Sequence, residues 1–302
     1  MTPFAILTPD PADASFASVW PGVLERLRDA LARGGFDAVP TPWTAHVDDA
    51  AGLRHFALVL PLLAWGYHAD PARWHRACDT WARAGVTLAN PPSVLAWNSD
   101  KRYLARLAER GVAIPPTTWT TAPTQADVDA LFDATGATAL IVKPTVSAGA
   151  WKTLRLARGD ALVDPPRGDA MIQPYLASIE REGETSLLFF GGQLSHVVNK
   201  RPVAGDFRIQ VQYGGTYRLL DAPPSGALEL AMRTLEAIDD PLLYARIDVV
   251  PDDEGRWLLM EVELIEPDFY LGVDPRRGEG FASAVRTWLA RGASTRAAEM
   301  PV

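Results

Sequence analysis

One cysteine, Cys78, is all that this 302-residue chain contains. An internal disulfide and any multi-cysteine metal site are excluded, and a reducing, cytoplasmic setting is the expectation. Lysine is nearly as scarce. Of 29 basic residues only Lys101, Lys143, Lys152 and Lys200 are lysine; the rest are arginine. If arginine stands wherever any cation will do, the surviving lysines mark places that need a compact ammonium; otherwise the bias is chance. A basic excess is missing too: 37 acids leave a net charge of −8, against the basic surface a nucleic-acid partner requires. No apolar run approaches the ~18 residues of a membrane span. The first ten residues carry neither a basic start nor a long apolar stretch, so neither a signal peptide nor a membrane partner is expected. There is no Walker loop, no Gly-x-Gly-x-x-Gly loop and no Gly-x-Ser-x-Gly elbow.

What remains is a globular composition, 48% hydrophobic, long enough for two domains or two to three lobes. Strand-like Phe4–Leu7, Phe56–Leu60 and Val86–Asn90 alternate with helical patterns at 20–34 and 71–85, which predicts a small parallel α/β unit. Pro91-Pro92 interrupts it, and Ser99-Asp100 reads as the start of a helix that ends at Gly111. Pro115-Pro116 marks a lobe boundary. A helix at 125–135 and a strand at 139–142 follow. Beyond Met171 the pattern is mostly β, with hairpins at 185–198 and 243–264 and helices at 225–238 and 280–291.

Four stretches carry chemistry. In the late hairpin, alternation puts Arg246 and Asp248 on the same face, and likewise Glu261 and Glu263, and the short turn brings the two pairs together. Three carboxylates in otherwise apolar strands call for a cation, and their hard oxygens suit one or two Mg²⁺; a solvated face of alternating charge is the plain alternative. The run Ile141-Val142-Lys143-Pro144-Thr145-Val146-Ser147-Ala148-Gly149 ends a buried strand in a lysine and a small-residue loop, suited to an anion or simply a surface turn. Gln173-Pro174-Tyr175-Leu176 breaks an apolar run with a proline, offering backbone groups to a planar base unless it is an ordinary edge strand. Lys200-Arg201, with Arg208, Gln210 and Gln212, suits a phosphate and a second polar ligand, or is a basic hairpin. His68 and His75 read as helix surface, and Cys78 as core.

The order of these stretches resembles the ATP-grasp superfamily, in its glutathione-synthetase-like branch. Asp100-Lys101 with Gly111 to Pro115, Lys143 with its loop, the 173–176 hinge, Glu184, and the Asp248, Glu261, Glu263 set stand in the family's sequence over residues 90–272. The family usually has Asn where Glu263 stands, and a loop richer in glycine. Segments 60–70, 90–92, 182–186 and 207–215 further resemble the subgroup that contains the O-ureido-serine cyclo-ligase of cycloserine biosynthesis.

The resemblance implies an ATP-grasp fold behind a Rossmann-like lobe, class α/β. Its lobes would be 1–112, a central lid at 113–175 and a β-rich lobe at 176–302. ATP would be bound by Lys101, Lys143, Ser147, Gly149, Gln173, Pro174, Tyr175, Leu176 and Glu184. Mg²⁺, two ions, would sit on Asp248, Glu261 and Glu263. Arg201, Arg208 and Arg246 would hold the γ-phosphate or a substrate carboxylate. The activity implied is a carboxylate–amine ligase that passes through an acyl phosphate, with ATP and small molecules as partners and a homo-oligomer compatible with the family. An intramolecular cyclo-ligase and a nucleotide-binding module without catalysis are the alternatives.

Overall fold

The computed structural model describes residues 3–149, 151–203, 209 and 214–298, with 292–298 described by backbone alone. Phe4–Thr8 (β1), Ala38–Pro42 (β2) and Val59–Leu60 (β3) form a parallel sheet in the order β2-β1-β3. Every residue of β1 is buried, as a strand covered on both faces requires. Phe4 and Ile6 pack with Leu24, Leu27 and Leu31 of α1 (Trp20–Arg33). Ala5 and Leu7 face the other way, into Trp74, Ala77, Cys78 and Trp81 of α2 (Pro71–Arg83). Asp70 caps α2 by accepting from Arg73 N at 2.9 Å, and Pro71 occupies its first position.

Two expectations change here. The strand expected at 86–90 shrinks to one bridge between Val59 and Leu88. Pro92 opens a short helix, Pro92–Asn98 (α3), because a proline at the first turn forfeits an N–H that has no helical acceptor anyway. Ser99 and Asp100 then fall between α3 and Tyr103–Glu109 (α4) instead of starting one long helix.

The central sheet is antiparallel, β4-β7-β5-β6, from Thr118–Thr120 (β4), Ala139–Pro144 (β5), Leu154–Ala157 (β6) and Ala170–Pro174 (β7). Gln125–Thr135 (α5) lies on it. It begins in a reciprocal Thr124–Asp127 capping box and ends at Gly136 with φ 66°. β7 is an inner strand, not the edge strand that Pro174 suggested; the proline sits at its last residue, where a missing donor does least harm.

The largest sheet is antiparallel in the order β10-β9-β8-β11-β12. After α6 (Ser178–Arg181) it comprises Glu184–Phe190 (β8), Gln193–Arg201 (β9), Thr216–Leu220 (β10), Tyr244–Pro251 (β11) and Trp257–Glu263 (β12). Ser225–Glu236 (α7) packs on β11 and β12, and Glu279–Ala298 (α8) returns to α1. β12 is an edge strand, yet its outer side is not left open. Val262 N donates to the Tyr103 hydroxyl at 2.9 Å, Asn98 bonds Val262 O and Leu264 N at 2.9 Å each, and Leu259 N reaches Ala113 O at 2.8 Å. Asn90, fully buried, holds Leu243 N, Tyr244 O and Leu264 O at 2.8–3.0 Å. The segment 90–113 thus fastens the first lobe to the carboxylate-bearing hairpin. Among the described residues, no helix is long and apolar enough to cross a membrane.

Candidate active site

β11 and β12 pair with Arg246 opposite Glu263 and Asp248 opposite Glu261, so alternation sends all four side chains to one face. The carboxylate oxygens of Asp248, Glu261 and Glu263 gather within 4.8 Å of one another. Asp248 is 1% exposed. It accepts from Arg246 Nε and Nη2 at 3.1 and 3.0 Å, from Lys200 Nζ at 3.2 Å and from the Ser186 hydroxyl. Burial alone would raise its pKa; Arg246 and Lys200 reverse that and hold it at about 2. Glu263 shares only Arg246, with which it is ion-paired. Burial dominates there and pushes its carboxyl up to about 8. Glu261 is paired with Lys101 Nζ at 3.1 Å; burial opposes its charge, but Lys101 and Lys143 keep it below the usual carboxylate value.

The two expected nucleotide lysines come from different lobes. Lys101 N is anchored on Thr145 O at 2.8 Å and its ammonium on Ser147 O at 3.1 Å, so the residue reaches into the small-residue loop. Burial works against its charge, and Glu261 more than compensates, leaving its pKa raised. Lys143, on β5, makes no ion pair among the described residues; burial pulls its pKa down, against the pull of Glu261. The loop joins β5 to β6. It places Gly149 at φ 60° and an exposed Trp151, with Ser147 buried beneath. Lys152 points away, its ammonium 5.5 Å from the Trp151 ring centre.

In the hinge, Gln173 is buried and donates to Thr117 Oγ1 at 2.9 Å, Pro174 ends the strand, and Tyr175 N bonds Ala139 O at 2.9 Å. The Arg155 guanidinium stacks 3.9 Å over the Tyr175 ring. Leu176 N–H has no acceptor among the described residues. Glu184 is buried and ion-paired with Lys200; burial pushes its carboxyl up although Lys200 opposes.

Arg246 joins the cluster. Arg201 does not: it is exposed at the end of β9, its Nε on Asn199 Oδ1 at 3.3 Å. Arg208, with Gln210 and Gln212, lies outside the described residues. Strand alternation explains Arg201 and separates it from Lys200, which the sequence reading grouped with it as a phosphate ligand. If Lys200 points in, Arg201 points out, and Lys200 is the most heavily engaged lysine, bridging Glu184 and Asp248. Its rarity as a lysine was the available signal. Glu266 and Tyr67, which face each other beside the cluster, carried none.

Four cationic side chains, Lys101, Lys143, Lys200 and Arg246, stand about these acids, and burial still holds Glu263 toward its protonated form. A hard divalent cation fits the three close carboxylates.

Comparison with known proteins bears on the fold. Residues 5–90 match the family model for the N-terminal domain of D-cycloserine synthetase DcsG. The chain is 28% identical over 280 residues to the cycloserine biosynthesis protein DcsG of Streptomyces lavendulae, covering 86% of this chain and 91% of that one. It superposes on the crystal structure of D-cycloserine synthetase DcsG with a TM-score of 0.75 at 26% identity, over 95% of this chain and 99% of the other. The chain has the ATP-grasp fold. The D-alanine–D-alanine ligase of Bacillus anthracis shares this fold, with a TM-score of 0.75 at 16% identity over 98% and 100% of the chains. The three sheets therefore correspond to an α/β lobe followed by the paired sheets of the ATP-grasp fold.

Proposed function

We propose that this chain activates the carboxylate of a small molecule as an acyl phosphate and joins it to an amine-type nucleophile. The observation that carries this reading is the buried face on which Arg246 and Asp248 stand opposite Glu263 and Glu261, with Lys101 and Lys143 converging on Glu261 from two other elements. ATP would lie between the central and the large sheet. Its adenine would take the Leu176 N–H, its ribose Glu184, and its phosphates Lys101, Lys143 and the backbone N–H groups of 147–149. Asp248, Glu261 and Glu263 would hold Mg²⁺, one ion or two. When bound, Mg²⁺ offsets charge on the transferring phosphoryl group.

The steps balance without a nucleophilic side chain. A carboxylate oxygen attacks the γ-phosphorus, the bond to the β–γ bridging oxygen breaks, and ADP leaves. The amine nitrogen then attacks the carbonyl carbon, the C–O bond to phosphate breaks, and the nitrogen loses its proton. Arg246 is placed to hold the substrate carboxylate or the phosphoryl oxygens, as a planar cation does well. The loop 145–151 would cover the phosphates and keep water from the acyl phosphate.

The match of residues 5–90 to the DcsG N-terminal domain favours a second form of the same chemistry, in which acid and nucleophile belong to one molecule and a ring closes. Incubation with ATP, Mg²⁺ and ¹⁸O-carboxylate candidates tests the shared step: label must appear in the released phosphate. Release of unlabelled phosphate alone sinks the acyl phosphate. A product lighter than its single substrate by water identifies ring closure.

A further inference from the structure

Arg246 is held by charge on one side only. A guanidinium has five N–H bonds. Those on Nε and Nη2 go to Asp248 and Glu263. On Nη1, one N–H reaches Asp268 O at 3.5 Å, and the other has no acceptor among the described residues. That edge is the one a substrate oxygen can use, and the acids behind it do not fix its direction. The remaining contact is with a ring. The Arg246 guanidinium carbon stands 5.5 Å from the centre of the Tyr270 ring.

Tyr270 is put there against its own backbone preference. Its φ is 49°, in the left-handed region that a bulky side chain rarely enters. Such a residue persists only where its surroundings over-determine it, and here they do. Tyr270 N donates to Asp268 Oδ1 at 2.8 Å, and Tyr270 O accepts from Val273 N and Asp274 N at 3.0 and 3.2 Å. Phe269, one residue earlier, is buried, its ring centre 4.9, 5.0 and 5.4 Å from those of Phe190, Phe281 and Tyr244. The Phe269 carbonyl meets His196 Nε2, from β9, at 2.8 Å. Because a carbonyl only accepts, that nitrogen carries the proton and donates it. Burial favours the neutral ring, so Nδ1 is left to accept from the Ser195 hydroxyl at 3.0 Å. His196 therefore holds the turn from a place that faces away from Arg246.

We propose that Tyr270 is a positioning residue: its ring sets the plane of the Arg246 guanidinium and so presents the Nη1 edge to the acid being activated, while His196 holds the turn that carries the ring. This rests on the ligase reading above. A cation over an aromatic ring gains most where water is excluded, and the Tyr270 ring is buried, edge-on to Tyr217 at 5.0 Å. The strained backbone then has a use, since relaxing it would redirect the side chain.

The first part of the test reads Arg246 without a substrate. In protein labelled with ¹⁵N-arginine, Arg246→Lys identifies the Arg246 Nε–H signal by its loss. Tyr270→Leu keeps the aversion to a positive φ but removes the ring and its ring current, so that signal should move; Tyr270→Phe should leave it in place. His196→Leu should move it as well, and His196→Gln, whose amide can donate to the same carbonyl, should restore it. The second part is phosphate release from ATP with the carboxylate candidates above, using the acid that releases most. Tyr270→Leu should raise KM for that acid about tenfold and His196→Leu about fivefold, with Tyr270→Phe and His196→Gln within about twofold of wild type. Affinity for an ATP analogue should stay within about twofold throughout. An unmoved signal in Tyr270→Leu, a KM change shared equally by acid and ATP, or a His196→Gln variant that behaves as His196→Leu overturns the assignment. If Tyr270→Leu does not fold, the two His196 variants decide. No phosphate release from wild type with any acid would instead strike the ligase reading.

Discussion

Asp248 and Glu263 lie on one face, within 4.8 Å, yet neutralising them should change stability in opposite directions. Asp248 is the acceptor for Arg246, Lys200 and Ser186 at once. Holding its carboxyl at about 2 instead of 3.8 corresponds to roughly 2–3 kcal/mol. Asp248→Asn in the metal-free protein should therefore cost about 2–4 kcal/mol, because it also leaves two buried cations short of an anion. The sign in pH follows. A depressed carboxyl stabilises above its unfolded value, so the contribution is constant near neutrality and is lost as pH falls from about 4 to about 2. Glu263 is the reverse case. Its carboxyl is raised to about 8, so its charged form is a burden that grows as pH climbs from about 4.5 to about 8. Glu263→Gln should be neutral or stabilising at pH 8, and nearly silent at pH 5. Urea unfolding of the metal-free variants at pH 5 and pH 8 measures both. With m unchanged, a Glu263→Gln loss at pH 8 as large as that of Asp248→Asn would mean that the ion pairs do not divide the charge as drawn, and the reasoning fails. Added Mg²⁺ should raise wild-type stability more than that of either variant, since only wild type keeps all three ligands.

Lys143→Arg should weaken binding of an ATP analogue at least tenfold, since a planar guanidinium does not replace an ammonium at the buried end of β5, whereas Lys152→Arg should change it less than about twofold. Titration calorimetry separates the two, and equal effects would remove the argument from lysine scarcity. Thr145 Oγ1 is buried without a hydrogen-bond partner among the described residues; Thr145→Val should raise the nucleotide-free stability by up to about 1 kcal/mol, read from the denaturation midpoint. Cys78 is 2% exposed and burial pushes its thiol up to about 12, so alkylation at pH 8 should be far slower than in urea-unfolded protein. Amide exchange across residues 144–152 should slow when an ATP analogue and Mg²⁺ bind, and unchanged protection with nucleotide bound would rule this loop out as the lid.

The parts of this chain legible in its sequence are those governed by short periodicities. Asp248, Glu261 and Glu263 could be placed together because a two-residue alternation and a short turn leave little freedom. The helix 125–135 announces itself through Thr124, Asp127 and Gly136. Short strands escaped: Ala38–Pro42 contains two prolines, and Thr118–Thr120 is three residues long, so neither shows a pattern until a neighbour pairs with it. Lys200 was visible as a rare residue, but its inward direction depended on the register of β9, which has a bulge partner at Leu188–Phe189. Glu266 was unreadable for another reason. Nothing local distinguishes it from a loop acid; its partner, Tyr67, lies about two hundred positions earlier in the chain.

That distance is bridged by side chains standing in for a strand. β12 ends its sheet, and an exposed edge would leave its N–H and C=O groups to water. Asn98 and Tyr103 take up those groups instead, and Asn90 binds the backbone between β11 and the 264 turn. Each buried amide makes two or three hydrogen bonds, so a slip of the hairpin by one residue would strand several polar groups at about 1–3 kcal/mol each. The same contacts that close the sheet edge therefore set the distance between the first lobe and the carboxylate face. Asn98→Ala would not touch any ligand placed in the site. It should nevertheless raise KM for the acid more than KM for ATP, because it loosens the hairpin against the first lobe and leaves Lys143 and the central sheet untouched. Equal changes in both, after correction for the folded fraction, would show that Asn98 closes an edge and positions nothing.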